Sequence, residues 1–282
     1  MMEEIILEDT GQTFEELMSE ARASGEDGHL YWEIIWVLAK RDDAATFERV
    51  FALTRGNAFE RGFAARILGR FGAKIGTEER RFSQEIVNRL LEMLAVEKNE
   101  NVLAAIVSAL GHQVEDTRIP LALKGLEKHS NEGLRWNLAL TLAHYETPEA
   151  IDMLIVLTRD MSSDVRDWAT FGLGTQCDLD TPEIRAALAG RLSDEDEDTR
   201  AEAIFGLAKR HDRRAVDAII KEFDDGFSGT LLFQALTETP DYRILPALRE
   251  MAQSPKFPPN DPDIQAAITA CEEYSKSLHH EN

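Results

Sequence analysis

An internal repeat restricts this chain more than any other feature. The segment DVRDWATFGLG, residues 164–174, recurs 34 residues later as DTRAEAIFGLA. Asp164, Arg166, Ala169 and Phe171-Gly172-Leu173 reappear as Asp198, Arg200, Ala203 and Phe205-Gly206-Leu207. Between the copies, Thr181-Pro182-Glu183 opens a second helical pattern. A single helix pair cannot bury its own apolar face, so a repeat of this length implies stacked neighbours sharing a continuous core.

The repeat's leucine has equivalents at Leu38, Leu68, Leu110, Leu142, Leu173, Leu207, Leu236 and Cys271, spaced 29 to 42 residues apart. The longest interval contains a linker and a longer first helix within residues 73–96. These markers predict eight helix pairs. Thr13 caps the first helix, whose apolar residues Phe14, Leu17, Met18 and Ala21 keep helical spacing. Thr77 with Glu78 and Glu79 reads as another helix start, Ile119 to Lys128 as one first helix, and Ile264 to Tyr274 as the last second helix. Thr147-Pro148-Glu149 and Thr181-Pro182-Glu183 are the clearest starts. Threonine caps, proline presets the first φ, and glutamate meets the positive helix end. Residues 1–12 read as an acidic lead-in, 13–275 as one solenoid and 276–282 as a frayed tail. No period-two alternation is present, so strand content is expected to be negligible.

DVRDWATFGLG, DTRAEAIFGLA and FERGFAARILG (59–69) resemble the second helix of HEAT repeats, and more narrowly the short bacterial type named after phycobilisome lyases. Asp164-Val165-Arg166 and Asp198-Thr199-Arg200 match that pattern well, and Arg61 and Arg135 match it in part. Tyr31, Leu103, Gly229 and Ile264 replace the arginine elsewhere. The resemblance implies an all-α, right-handed α-solenoid of about eight stacked antiparallel helix pairs, with second helices on the concave face. It implies little about activity, since function lives in sites grafted onto a fold. The recurring arginines are expected to bond inter-helix turns or neighbouring repeats.

The chain carries 52 acidic and 31 basic residues, net −21. Such a field repels nucleic acid and anionic lipid and favours a basic protein partner. Cys177 and Cys271 make no disulfide framework and no metal-ligand spacing. No apolar run approaches the roughly 18 residues of a membrane span, and MMEEIILEDT has no signal-peptide pattern. The expected location is cytoplasmic. Phosphate-binding, zinc and nucleophile-elbow motifs are absent, so the expectation is a chain with no cofactor, no metal and no catalytic residues.

The candidate binding residues follow one helix phase. The positions one and five after the arginine slot hold Trp32 and Trp36, then Trp136 and Leu140; the later position holds Arg66, Phe171 and Phe205 in other pairs. Residues four apart share a face. That face either lines the groove or packs against neighbouring helices, whereas Trp168, one position away, is expected in the core. The run Asp194-Glu195-Asp196-Glu197-Asp198 reads as an acidic rim; it lacks the glycine turn and alternating ligands of a calcium loop. Residues 55–91 hold eight basic groups against four glutamates. A non-catalytic interaction solenoid gripping a basic protein is the function expected, as adaptor, assembly factor or toxin-neutralising protein. A DNA-alkylation-repair enzyme, which needs a basic groove, and a bilin lyase are the alternatives.

Overall fold

The computed structural model describes residues 11–41, 43–72, 81–113 and 116–280. Among them are sixteen α-helices and no strand. The chain divides into two compact units, Met1–Thr141 and Leu142–Asn282.

The first unit contains α1 (Phe14–Ser24), α2 (His29–Lys40), α3 (Ala44–Leu53), α4 (Ala58–Arg70), α5 (Ser83–Leu94), α6 (Glu100–Leu110), α7 (Ile119–Leu123) and α8 (Glu132–Leu142, whose last residue begins the second unit). The second contains α9 (Pro148–Leu157), α10 (Ser163–Phe171), α11 (Pro182–Ala189), α12 (Glu197–Lys209), α13 (Arg214–Asp224), α14 (Thr230–Glu238), α15 (Leu245–Met251) and α16 (Pro262–His280). Second helices stack in series: α2 on α4 on α6 in one unit, and α10 on α12 on α14 on α16 in the other. This is an α-solenoid built of helix pairs. All eight marker residues, Leu38 through Cys271, are fully buried.

Local chemistry sets the helix starts. Thr13 and Asn57 form reciprocal capping boxes with Glu16 and Glu60, each satisfying two orphan donors. Thr147 and Thr181 accept from Ala150 and Ile184 N–H, with proline at the next position. The first helix of pair four is shorter than expected. It stops at Leu123 because Gly125 takes φ 101, and a 3-10 turn, Leu126–Lys128, finishes the segment. The third pair opens at Ser83, whereas Thr77 to Glu79 lie outside the described residues. The tail expected to fray after residue 275 is helical to His280.

Small residues mark close approach. A Cβ on Gly206 would lie 2.5 Å from Gly174 Cα, and one on Gly69 would lie 2.7 Å from Ala109 Cα. Ala169 and Ala203 are fully buried beside these contacts. After α10 the chain widens into a single π turn, Gly172–Gln176, which carries Gly174 against α12.

The recurring arginines act as latches. Arg61 Nη1 donates to Gly56 C=O at 2.9 Å, while Nε and Nη2 grip Glu97 at 2.7 and 2.9 Å. Arg166 closes its own turn through Asp160 and Met161 carbonyls and grips Asp194 at 2.9 and 2.8 Å. Arg200 holds Asp194 and Glu195 carbonyls and grips Glu222 at 2.7 and 3.0 Å. Arg135 bonds His129 and Ser130 carbonyls. The planar fork serves two directions at once: one arm holds the preceding turn, and the bidentate edge holds the next repeat.

Candidate functional site

In the first unit, Trp32 and Trp36 lie on the outer face of α2, 39% and 49% exposed. Tyr31, in the arginine slot, turns inward and is fully buried against Phe59 and Phe63. Two α4 guanidiniums cover the tryptophans: Arg66 lies 5.4 Å from the Trp32 ring centre and Arg70 lies 5.3 Å from that of Trp36. Arg66 also meets the Glu26 carboxylate at 3.1 Å. Burial pushes the Tyr31 phenol up to about 12, and burial followed by the Arg66 charge lowers Arg70. Arg70 was missed in the sequence; its i+4 relation to Arg66 was the available signal. Trp136 and Leu140 on α8 are half-buried.

The excess of basic residues within 55–91 is largely engaged internally. Arg61 holds Glu97, and Arg89 holds Thr54 through its hydroxyl and carbonyl. A cavity of about 260 Å³ lies beside them, lined in part by Arg55, Met93 and Val96. Lys74 and Arg80 lie outside the described residues.

In the second unit, Phe171 and Phe205 are half-buried. So is Trp168, expected in the core; it packs edge-on against Phe171 at 5.4 Å. The phase carries carboxylates as well. Asp164 and Asp198 are exposed, and Asp167, Asp196 and Glu202 are half-buried. Asp167 is pushed up to about 6 by burial and then by the charges of Asp196, Asp198 and Asp164. Glu202 is pushed up to about 7 by burial and by Asp167 and Asp198, although it accepts from the Thr175 hydroxyl at 2.5 Å. Asp167, one position after Arg166, shares its phase with Trp32 and Trp136, yet its partners lie a repeat away and were not legible locally.

The acidic run is not a uniform rim. Asp194 is buried, held by Arg166 and by Arg191 at 2.8 Å. Asp196 caps α12 through Thr199 N–H. Only Glu195, Glu197 and Asp198 are exposed. The recurrence of the arginine slot explains this: the latches at Arg61, Arg166 and Arg200 each take an acid from the next repeat. Even so, the charge is uneven along the chain. Residues 1–141 carry 24 acids and 17 bases, net −7, whereas residues 142–282 carry 28 and 14, net −14.

The raised pair has a consequence for stability. A carboxyl whose folded value exceeds its unfolded one stays protonated in the folded state, so its contribution is present below the ordinary value of 4.5 and lost as pH rises through about 7. Glu202→Gln removes that dependence. Between pH 5 and 8 its loss of urea resistance is expected to be smaller than wild type by on the order of 2 kcal/mol. Parallel pH profiles for the two proteins would contradict this.

HEAT-repeat sequence patterns match residues 87–174 and 153–228, together more than half of the chain. The chain belongs to the HEAT-repeat family. Protein YibA of Escherichia coli K12 is 30% identical over 139 residues, covering 49% of this chain and 48% of YibA. YibA of the O157:H7 strain matches equally. The match therefore spans about half the length of these curated relatives. The X-ray structure of E. coli YibA superposes with a TM-score of 0.74 at 23% identity, over 93% of both chains. An engineered protein gives 0.58 at 18% identity, over 91% of this chain and 77% of its own. Both likenesses are of fold. Within this HEAT fold, no three His, Cys, Asp or Glu side chains among the described residues cluster as a metal site, and no described helix is long and apolar enough to cross a membrane. Both cysteines are buried thiols.

Proposed function

We propose that this HEAT-repeat chain is a non-catalytic interaction protein, an adaptor, assembly factor or neutraliser, that grips a basic segment of a protein partner on the α10–α12 face. One observation carries this reading. Asp164, Asp167, Asp196, Asp198 and Glu202 stand close enough to repel one another on and beside the two helices that carry half-buried Phe171 and Phe205, and burial with that repulsion pushes Asp167 and Glu202 upward. A lysine or arginine side chain entering there supplies the missing countercharge, and its stem and cation suit the aromatic rings. Latches take Asp194 and Glu222, and Asp196 caps α12, which leaves the exposed Asp164 and Asp198 carboxylates as the first to meet a partner.

The test uses the full chain and a labelled lysine-rich octapeptide carrying two phenylalanines. Binding is expected to weaken with salt, because exposed charges are screened. The Asp164→Asn, Asp198→Asn double variant is expected to lose tenfold or more in affinity and most of that salt dependence. No binding, or equal binding by wild type and the double variant, would overturn the proposal.

A further inference from the structure

The first unit carries a surface of opposite chemistry. Trp32 and Trp36 are both large and both exposed, four residues apart on α2. Arg66 and Arg70, four apart on α4, stand over their rings. Among the described residues, Glu26 is the one carboxylate paired with these two guanidiniums. Arg70 has as its hydrogen-bond partner the Arg66 carbonyl at 3.2 Å and no carboxylate among the described residues. Arg66 is not saturated either: its Nη1 and the Tyr31 hydroxyl are buried without a hydrogen-bond partner. Nη1 lies over Gly62, where a Cβ would come within 3.1 Å of it, so the bare helix surface at the phase position makes room for the guanidinium.

We infer that this α2–α4 face is a docking site for an acidic peptide segment, one that presents a carboxylate beside an aromatic or large aliphatic side chain. The carboxylate takes Arg70 and reaches the neighbouring Arg66, and the apolar neighbour covers Trp36. Glu26 already shows the chemistry the site accepts, because its carboxylate occupies Arg66 while remaining partly exposed. It acts as an intramolecular placeholder that an incoming acid displaces. Guanidinium forks match carboxylates in plane and spacing, and tryptophan and arginine are the side chains that dominate binding hot spots. A polyanion fits less well: a run of phosphates extends past the two arginines into the field of a chain of net charge −21. This inference stands apart from the reading of the α10–α12 face, and different variants test the two.

The experiment titrates the full chain with a labelled octapeptide that carries two glutamates, each beside a phenylalanine, among neutral residues, reading anisotropy and tryptophan emission together. Binding is expected with a blue shift as Trp32 and Trp36 lose water. Arg70→Gln and Trp36→Ala are each expected to weaken it tenfold or more, whereas the Asp164→Asn, Asp198→Asn pair leaves it unchanged. Glu26→Gln is the decisive variant. By removing the placeholder it should tighten binding several-fold, an effect that general loosening of the fold does not produce. The inference is overturned if Arg70→Gln binds as wild type does, if Glu26→Gln weakens binding or leaves it unchanged, or if a short single-stranded oligonucleotide binds in place of the peptide.

Discussion

Replacing Arg210 with methionine is expected to lower the unfolding free energy of the second unit by about 4 kcal/mol, a loss reserved for a few kinds of buried defect. Arg210 is 6% exposed and donates to five carbonyls. These are Leu173 at 2.9 Å, Gly174 at 3.4 Å, Cys177 at 2.9 Å, Leu179 at 2.8 Å and Gly206 at 2.8 Å. Four of them belong to the π turn after α10 and the strand-like exit behind it, where regular helical bonding has stopped. Each buried acceptor left without a donor costs about 1–3 kcal/mol, and some regain water after the change, which sets the estimate below the sum. Methionine keeps the apolar stem, so the loss reports on the fork rather than on packing. Arg210→Lys should recover little, because a point ammonium cannot span the same set of acceptors. Chemical denaturation monitored by helix content checks both variants. A loss under about 1 kcal/mol for Arg210→Met would show that the turn satisfies its carbonyls by another route.

Asp194→Ala is expected to cost about 3–5 kcal/mol, because it strands a buried guanidinium. The side chains of Asp194 and Arg166 are 2% and 8% exposed. Burial alone would raise the Asp194 carboxyl, yet the Arg166 hydrogen bonds, the Asp196 N–H and the charges of Arg166 and Arg191 bring it below its ordinary value. Its contribution is therefore present above the unfolded carboxylate range and lost as pH falls beneath it. Single alanine substitutions at Glu197 and Asp198, which carry no ion pair to Arg166, serve as controls, each expected to cost less than about 1 kcal/mol through the helix dipole. If Asp194→Ala behaves like these controls, the latch does not hold the repeats together.

What could be read from the sequence, and what could not, divides along the range of the interaction. Helix pairs, buried markers and threonine starts recur at a fixed phase, so each copy reinforces the others. The arginine slots are legible for the same reason. Their acidic partners are not, because Glu97, Asp194 and Glu222 lie 36, 28 and 22 residues beyond their arginines and share no common repeat position. A run of five acids therefore looked uniform, although one of its members is buried in a latch and another caps a helix. Arg41 and Gln113 hold the register of Arg210, three residues after Leu38 and Leu110, and each donates to a distant carbonyl, but the set of five that Arg210 serves exists only because Gly174 and Gly206 bring two backbones together. The aromatic phase was visible as a phase, but its two outcomes were not. On α2 the tryptophans stay exposed beneath arginines from α4, whereas Phe171 and Phe205 are half covered.

The most direct test of partner binding on the α10–α12 face is calorimetric stability measured beside affinity for the lysine-rich octapeptide in a Phe171→Ala, Phe205→Ala protein. Binding there predicts an affinity loss of roughly 2 kcal/mol or more, as expected when hot-spot aromatics are truncated, with a smaller loss of stability. Several kcal/mol of lost stability, with affinity per folded molecule unchanged, would make both rings core residues and contradict the account.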